Sequence, residues 1–186
     1  KYAVKLVDGT LLRVLPKLAM TRYVKRKDQQ PYHAWRIHME LQVGMPAPER
    51  FERTGARGDE RKNLKRHLKP GCCYVTDRGY HDVGLFNRIH DAQSRYVCRA
   101  RDSLKYEVVR ENPLTQADRD AGIVCDQMVK IGQNRKDPPN HPVRLVIVEA
   151  EVHAKRTRKG NKPSSGKILL VTDLCVEEAA AEVVGV

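Results

Sequence analysis

Two short apolar runs, each followed at once by an aspartate, constrain the fold of this chain more than any other feature. Ala3–Val7 precedes Asp8, and Cys72–Thr76 precedes Asp77. Both runs have the composition of β-strands, and an acid at the end of a buried strand is a common site position in α/β sheets. Magnesium is usually held by one or two carboxylates together with phosphate oxygens and water. The two acids therefore predict a site for divalent cations next to a phosphate.

Each acid also has a purely structural interpretation. Asp8 precedes Gly9, and Asp-Gly between two strands is the strongest short-range signal for a β-hairpin turn. On that interpretation residues 2–14 form a strand, a tight turn and a second strand from Leu11 to Leu15. Asp77 could belong to a turn with Arg78-Gly79, but residues 81–92 predict a helix directly after it, which favours a site.

The net charge predicts a polyanionic partner. The 186 residues include 35 Lys+Arg and 23 Asp+Glu, which gives a net charge of +12. The basic residues are spread along the chain, and no amphipathic helix rich in aromatic residues is apparent, so nucleic acid is favoured over a membrane surface. No apolar run approaches the roughly 18 residues of a membrane span. Five cysteines without C-x-x-C spacing argue against a disulfide scaffold or a zinc site and fit the reducing cytoplasm.

The order of predicted elements indicates an α/β fold, a mixed sheet with flanking helices. Alternation over Ala34–Val43 predicts a half-buried strand, with His38 on its solvated face. Asp59–Leu68 predicts a helix with Asp59 as N-cap, and Val176–Val184 predicts the last helix. This order matches a ribonuclease-H-like core. We divide the chain into a first core part (1–101), a β-rich insertion (102–164), and a last core strand with the start of a helix (165–186).

Several segments carry a family resemblance that extends over nearly the whole chain. They are Val7–Thr10, His33–Leu41, Tyr74–Tyr80, Leu85–Ile89, Tyr96–Asp102 and Leu169–Leu174. In order and spacing they resemble the DDE transposases of bacterial insertion sequences, and the insertion-sequence-four type most of all. The resemblance implies a ribonuclease-H-like fold with a β-rich insertion before the last catalytic helix. It also implies metal-dependent DNA phosphodiester hydrolysis and strand transfer in DNA transposition.

By this resemblance Asp8 and Asp77 are the first two catalytic acids and ligands of Mg²⁺ or Mn²⁺. The third acid of the family is a glutamate in a Tyr-x-x-Arg…Glu motif, which this chain lacks. The predicted last helix contains three glutamates, but they lie too close to its start to match the family's third acid. Their structural interpretation is that acidic residues are favourable at a helix N-terminus: Glu177, Glu178 and Glu182. The chain is therefore expected to be a fragment without the third catalytic acid, inactive alone.

The expected partner is double-stranded DNA, as transposon ends and target, in the bacterial cytoplasm; a homodimer in the DNA complex is left open. Arg78 and Tyr80 could contact a phosphate near the acids or only brace the turn. A basic loop without acids is the stronger phosphate-binding candidate, and it contains Lys155, Arg156, Arg158, Lys159 and Lys162. Two alternatives remain: a two-metal nuclease of the same fold, and a non-catalytic DNA-binding remnant of a decayed transposase.

Overall fold

A computed structural model describes residues 2–15, 22–24, 32–133, 136–149 and 166–185. The strands are β1 (Ala3–Arg13), β2 (Arg22–Val24), β3 (Tyr32–Gln42), β4 (Arg50–Gly55), β5 (Cys72–Thr76), β6 (Arg95–Arg99), β7 (Tyr106–Glu111), β8 (Ile123–Ile131), β9 (Val143–Glu149) and β10 (Lys167–Thr172). The helices are α1 (Glu60–Lys65), α2 (Val83–Asp91), α3 (Gln116–Asp120) and α4 (Ala181–Gly185), with a 3₁₀ turn at Arg78–Tyr80. None of these described helices is long and apolar enough to cross a membrane.

All the described strands belong to one mixed sheet. Its order is β2-β3-β1-β5-β6-β10-β9-β8-β7, and β4 pairs with β3. β1 and β5 are parallel, as are β5 and β6, whereas β3 and β10 run antiparallel to their neighbours. The carboxyl ends of β1, β5 and β6 therefore point the same way. This large mixed sheet with few helices is consistent with the predicted ribonuclease-H-like fold.

Helices α1 and α2 pack on one face of the sheet, called here the helix-covered face. Their Leu64 and Phe86 join a buried cluster with Val7 and Tyr74. The ring of Phe86 stacks on Tyr96 with centroids 4.2 Å apart. Because side chains alternate along a strand, Asp8 and Cys73 point to the opposite side, the second face.

The second face is covered only in part by the described residues. Over β8 and β9, residues Ala181 and Val184 of α4 pack in a second buried cluster with Val146. Over β1 and β3 the same face exposes Leu6 and Met39, which are 42% and 38% accessible. Apolar surface thus borders the position of Asp8.

Two of the predicted helices are confirmed, with shorter bounds for α1. Asp59 caps α1, because its Oδ1 accepts hydrogen bonds from the backbone N–H of Arg61 at 3.0 Å and of Lys62 at 3.2 Å. Helix α2 buries one apolar face, with Val83, Phe86 and Ile89 in the core.

The predicted Asp8-Gly9 hairpin turn is wrong. β1 continues through both residues, and its antiparallel register with β3 runs unbroken from Lys5 opposite Gln42 to Arg13 opposite Ala34. Gly9 does not have a positive φ, which a type I′ turn would require. The long pairing with β3 satisfies the backbone that a turn would have left exposed.

The predicted orientation of β3 is also wrong. His38 is 2% exposed and Glu40 1% exposed, so the polar residues of this strand face the interior. Burial is tolerated because each is paired: Nε2 of His38 lies 2.8 Å from Oγ1 of Thr54, and Oε1 of Glu40 accepts from Nζ of Lys5 at 2.7 Å. His38 is therefore not solvated, and burial lowers its pKa.

Two further differences concern less regular segments. The stretch 17–33, predicted as an exposed loop, contains the short strand β2, and most of its other residues lie outside the described ranges. The predicted helix Val176–Val184 is a turn at residues 176–178 followed by α4, which begins at Ala181. Glu178 accepts from the backbone N–H of Cys175 at 3.1 Å, and this contact within the turn replaces a first helical turn.

Candidate active site

The parallel register of β1 and β5 brings Asp8 and Asp77 side by side. The last pair of that register is Val7 opposite Thr76, and the two aspartates are the next residues. Asp77 continues with extended backbone, at φ −82° and ψ 177°. Adjacent strands lie about 4.8 Å apart, and paired residues share a face of the sheet. Both aspartates therefore belong to the second face, at neighbouring positions.

A local backbone hydrogen bond orients each carboxylate. Oδ1 of Asp8 accepts from the N–H of Gly9 at 2.7 Å, and Oδ1 of Asp77 accepts from the N–H of Gly79 at 2.8 Å. Both side chains are exposed. Within the described part of the chain, Oδ2 of neither aspartate takes part in a hydrogen bond or ion pair. One oxygen of each carboxylate is thus available to an external ligand.

Tyr80 lies under this pair of acids. Its side chain is 1% exposed and belongs to the core on the helix-covered face. Burial raises the pKa of its phenol, and the negative charges of Asp8 and Asp77 raise it further. This favours the interpretation in which Tyr80 braces the turn after β5, whereas Arg78 is exposed beside Asp77.

Two surface depressions meet at Asp77. The first, of about 460 Å³, is lined by Asp8, Asp77, Arg99 and apolar side chains that include Leu6 and Met39. The second is lined by Asp77, Arg78, Gly79, Arg101, Asp102 and Ser103. No role for Arg99 and Arg101 was predicted from the sequence. The signal was present, since an Arg-x-Arg pair follows directly on the apolar run of β6.

A further carboxylate, that of Glu60, lies across the sheet from Asp8. Glu60 is the first residue of α1 and forms an ion pair with Arg36. A Cβ atom on Gly9 would lie 2.7 Å from Cγ of Glu60, so this side chain rests against the backbone of β1. Among the residues that the structure describes, no three His, Cys, Asp or Glu side chains form a group that could hold a metal ion. The candidate cation site therefore consists of the two aspartates.

The glutamates near the end of the sequence do not form a metal-binding group with the two aspartates. Glu178 accepts hydrogen bonds from the hydroxyl of Tyr2 at 2.8 Å and from Nη2 of Arg95 at 3.0 Å. Burial opposes its ionisation, but these bonds lower the pKa of Glu178 to about 2. Arg95 begins β6, at the end of the parallel strands opposite to Asp77. The basic loop with Lys155, Arg156, Arg158, Lys159 and Lys162 lies outside the described residues, and its role stays a prediction.

A second polar cluster occupies the end of the sheet opposite to the aspartates. Asp173 accepts from the backbone N–H of Tyr96 at 2.9 Å, and its Oδ2 lies 2.9 Å from Nδ1 of His90. The imidazole of His90 stacks on His141, with centroids 4.4 Å apart. This cluster joins α2, β6 and β10 and is remote from the aspartates.

Comparison with known proteins supports the fold alone. No known protein family and no curated protein matches this sequence. Among solved structures the chain is similar to the piggyBac transposase in a cryo-EM synaptic complex with hairpin DNA, at a TM-score of 0.50 and 12% sequence identity. The likeness covers 92% of this chain and 33% of the transposase chain. The chain thus has a transposase-like fold and spans about a third of the length of that neighbour.

Proposed function

We propose that this chain is part of the catalytic domain of a DDE transposase of the insertion-sequence-four type, with a ribonuclease-H-like core. The observation that carries the proposal is the position of Asp8 and Asp77, side by side at the ends of a parallel pairing. One oxygen of each carboxylate has no hydrogen-bond or ion-pair partner among the described residues. A net charge of +12 supports a polyanionic partner. The partner would be double-stranded DNA, as transposon ends and target, in the bacterial cytoplasm.

The donor set at the aspartates fits Mg²⁺ or Mn²⁺. Hard divalent cations prefer carboxylate oxygens, and magnesium is often held by one or two carboxylates while phosphate oxygens and water complete its shell. Asp8 and Asp77 would be the protein ligands. Bound there, the cations would activate an attacking oxygen and stabilise the leaving oxygen of a phosphodiester.

Other residues of the chain would orient the two carboxylates and bind the DNA strand. The N–H groups of Gly9 and Gly79 hold one oxygen of each aspartate, which directs the other oxygen outward. Tyr80, buried beneath, keeps the turn after β5 in place. The exposed cationic side chain of Arg78 lies beside Asp77 and offers hydrogen-bond donors to DNA phosphates. Together these groups orient a DNA strand at the two carboxylates.

One observation favours a second candidate, a non-catalytic DNA-binding remnant. Among the described residues, no three His, Cys, Asp or Glu side chains form a group that could hold a metal ion. A protein of that kind would bind duplex DNA equally well with and without divalent cations.

Mn²⁺ binding in the presence of a short DNA duplex separates the two candidates. Calorimetric titration of the full chain should show Mn²⁺ binding that Asp8→Asn and Asp77→Asn each weaken at least tenfold. Asp120→Asn, on the exposed surface of α3, is the matched control and should bind like the wild type. Wild-type binding no tighter than that of the Asp8→Asn/Asp77→Asn double variant would refute the transposase proposal. Plasmid nicking and strand-transfer assays in Mg²⁺ or Mn²⁺ then distinguish a transposase from a simple nuclease.

A further inference from the structure

Arg99 and Arg101 stand next to the candidate active site on the neighbouring strand. β6 is parallel to β5, and the last pair of their register is Thr76 opposite Cys98. Arg99 is therefore the neighbour of Asp77. Cys98 points into the core of the helix-covered face, so Arg99 belongs to the second face, as the aspartates do. Arg101 follows the end of β6 and lies beside Asp77 in the second depression.

Neither arginine side chain is tied to another side chain in the part of the chain that the structure describes. Arg99 and Arg101 take part in no ion pair and no side-chain hydrogen bond with the other described residues, although both lie close to carboxylates. Arg95 and Arg144 differ: each guanidinium binds a carboxylate at 3.0 Å or less. A guanidinium without a protein partner keeps all its donors for a ligand, and its planar fork matches a phosphate.

The two arginines line different depressions on either side of Asp77. Arg99 shares the first depression with Asp8 and Asp77. Arg101 shares the second with Asp77, Arg78 and Ser103, where Asp102 is the other acid. A linear polyanion that crosses from the first depression to the second would pass over Asp77 and meet a guanidinium on each side.

We propose that Arg99 and Arg101 bind backbone phosphates of the DNA strand that lies across Asp8 and Asp77, one on each side of Asp77. The inference rests on the proposed function and extends it, because it assigns the path of the strand and the groups that position it. Both are positioning residues: their contacts are with phosphates that flank the reacting one.

The salt dependence of DNA binding tests this assignment without any metal. Affinity of the full chain for a fluorescent duplex is measured in EDTA over a series of salt concentrations, since each phosphate contact contributes about 0.9 to the slope of log K against log [salt]. Arg99→Gln/Arg101→Gln should lower the slope by about 2, and each single variant should lower it by about 1. Arg99→Lys/Arg101→Lys should restore most of the slope, because lysine keeps the charge.

Arg88→Gln is the matched control. Arg88 is exposed on α2, on the helix-covered side, and no ion pair ties it to the rest of the described chain. Arg88→Gln should keep the wild-type slope. The thermal midpoints of all variants should lie within about 2 °C of the wild type, because substitutions of this kind change stability little at surface positions.

Three outcomes would overturn the inference. A wild-type slope in Arg99→Gln/Arg101→Gln, or an equal loss in Arg88→Gln, would show that the strand does not follow this path. Either result leaves the Mn²⁺ test of the aspartates unaffected, so the proposed function would be judged separately. A wild-type chain that binds duplex DNA with no salt dependence would remove both proposals.

Discussion

The side chain of Glu60 rests on the backbone of Gly9, on the side of β1 opposite to the carboxylate of Asp8. A Cβ atom at residue 9 would lie 2.7 Å from Cγ of Glu60 and nearer still to its carboxylate. Glu60 also forms an ion pair with Arg36 of β3. A side chain at residue 9 would therefore force the Glu60 side chain to move, directly beside the candidate active site.

Gly9→Ala should destabilise the protein by about 1 kcal/mol, at the lower end of the cost of overpacking, because the obstructing Glu60 side chain is flexible. The added methyl group would displace Glu60 and break its pairing with Arg36. Urea unfolding followed by circular dichroism measures the change. In a Glu60→Ala background the same substitution should cost clearly less, because the obstructing side chain is gone. Equal costs in the two backgrounds would contradict the contact.

Gly84→Ala is the control for this experiment. Gly84 lies within α2, and the nearest atom to an added Cβ there is Oδ1 of Asp82 at 3.4 Å, an ordinary contact. This substitution should stabilise the protein by about 0.5–1 kcal/mol, since alanine loses less entropy than glycine on entering a helix.

Lys5→Met should be strongly destabilising. The Lys5 side chain is 2% exposed, and its Nζ lies 2.7 Å from Oε1 of Glu40 and 2.8 Å from Oε2 of Glu49. Without Lys5, the carboxylate of Glu40 stays buried, and Arg50 at 3.3 Å is its one remaining counter-charge among the described residues. Breaking a buried ion pair in this way costs about 3–5 kcal/mol. Chemical unfolding should show this loss, and Lys5→Met/Glu40→Met should lose less than the sum of the single variants.

The control for Lys5 is Lys130→Met, because Lys130 is exposed on β8. Its free energy of unfolding should stay within about 0.5 kcal/mol of the wild type. A Lys5→Met variant as stable as Lys130→Met would mean that the ion pairs of Lys5 contribute nothing to folding.

The sequence predicted much of the local structure around the candidate active site. The apolar run before Asp77 forms β5, and the Asp59 cap begins α1, because both signals depend only on residues close in the chain. The sequence analysis predicted one cation site at Asp8 and Asp77, each at the end of an apolar strand, but not the direction of the two strands. The parallel pairing of β1 and β5 places the two aspartates side by side.

Errors arose where distant residues decide the outcome. Asp8-Gly9 has the composition of a turn, yet β1 continues through both residues because β3 pairs with them, and Glu60 from α1 packs on Gly9. The alternation in β3 marks two faces but does not say which is buried, and the polar face is inside because Lys5 and Thr54 pair with it. A period of two is the same for either orientation.

Arg144→Lys should loosen the segment that follows β10. Arg144 is buried, its Nη2 donates to Oδ2 of Asp126 at 2.7 Å, and its Nη1 donates to the carbonyl of Ala179 at 2.6 Å. A lysine cannot reproduce the planar fork, and each lost hydrogen bond to a charged group costs about 1.5–3 kcal/mol. Hydrogen exchange at residues 175–179 should accelerate more than in β10. Arg110→Lys, exposed on β7, should leave the exchange pattern unchanged.

His141 should make the protein less stable as the pH falls from 6.5 toward 4. Burial is the main cause that lowers the pKa of His141 from 6.5 to about 4, and the charge of the neighbouring His90 is the second cause. Its Nε2 lies 3.0 Å from the hydroxyl of Tyr96, and Nδ1 lies 2.8 Å from Oδ1 of Asn140. In this window the unfolded chain takes up a proton that native His141 does not, so stability falls by up to about 1.4 kcal/mol per pH unit. Below the folded pKa the contribution of the neutral imidazole is lost.

His141→Gln isolates this effect from the other groups that titrate on acidification. Burial raises the pKa of Asp173, so this carboxyl acts in the opposite direction, whereas Glu178 loses its native ion pair as it is protonated. Both groups remain in the variant, so their contributions cancel in the difference between wild type and variant. Urea unfolding at pH 7, 6, 5 and about 4.5 should show a steeper acid loss for the wild type, with a difference of roughly 1 kcal/mol or more per pH unit below 6. Parallel stability curves for the two proteins would show that His141 is not held neutral in the native state.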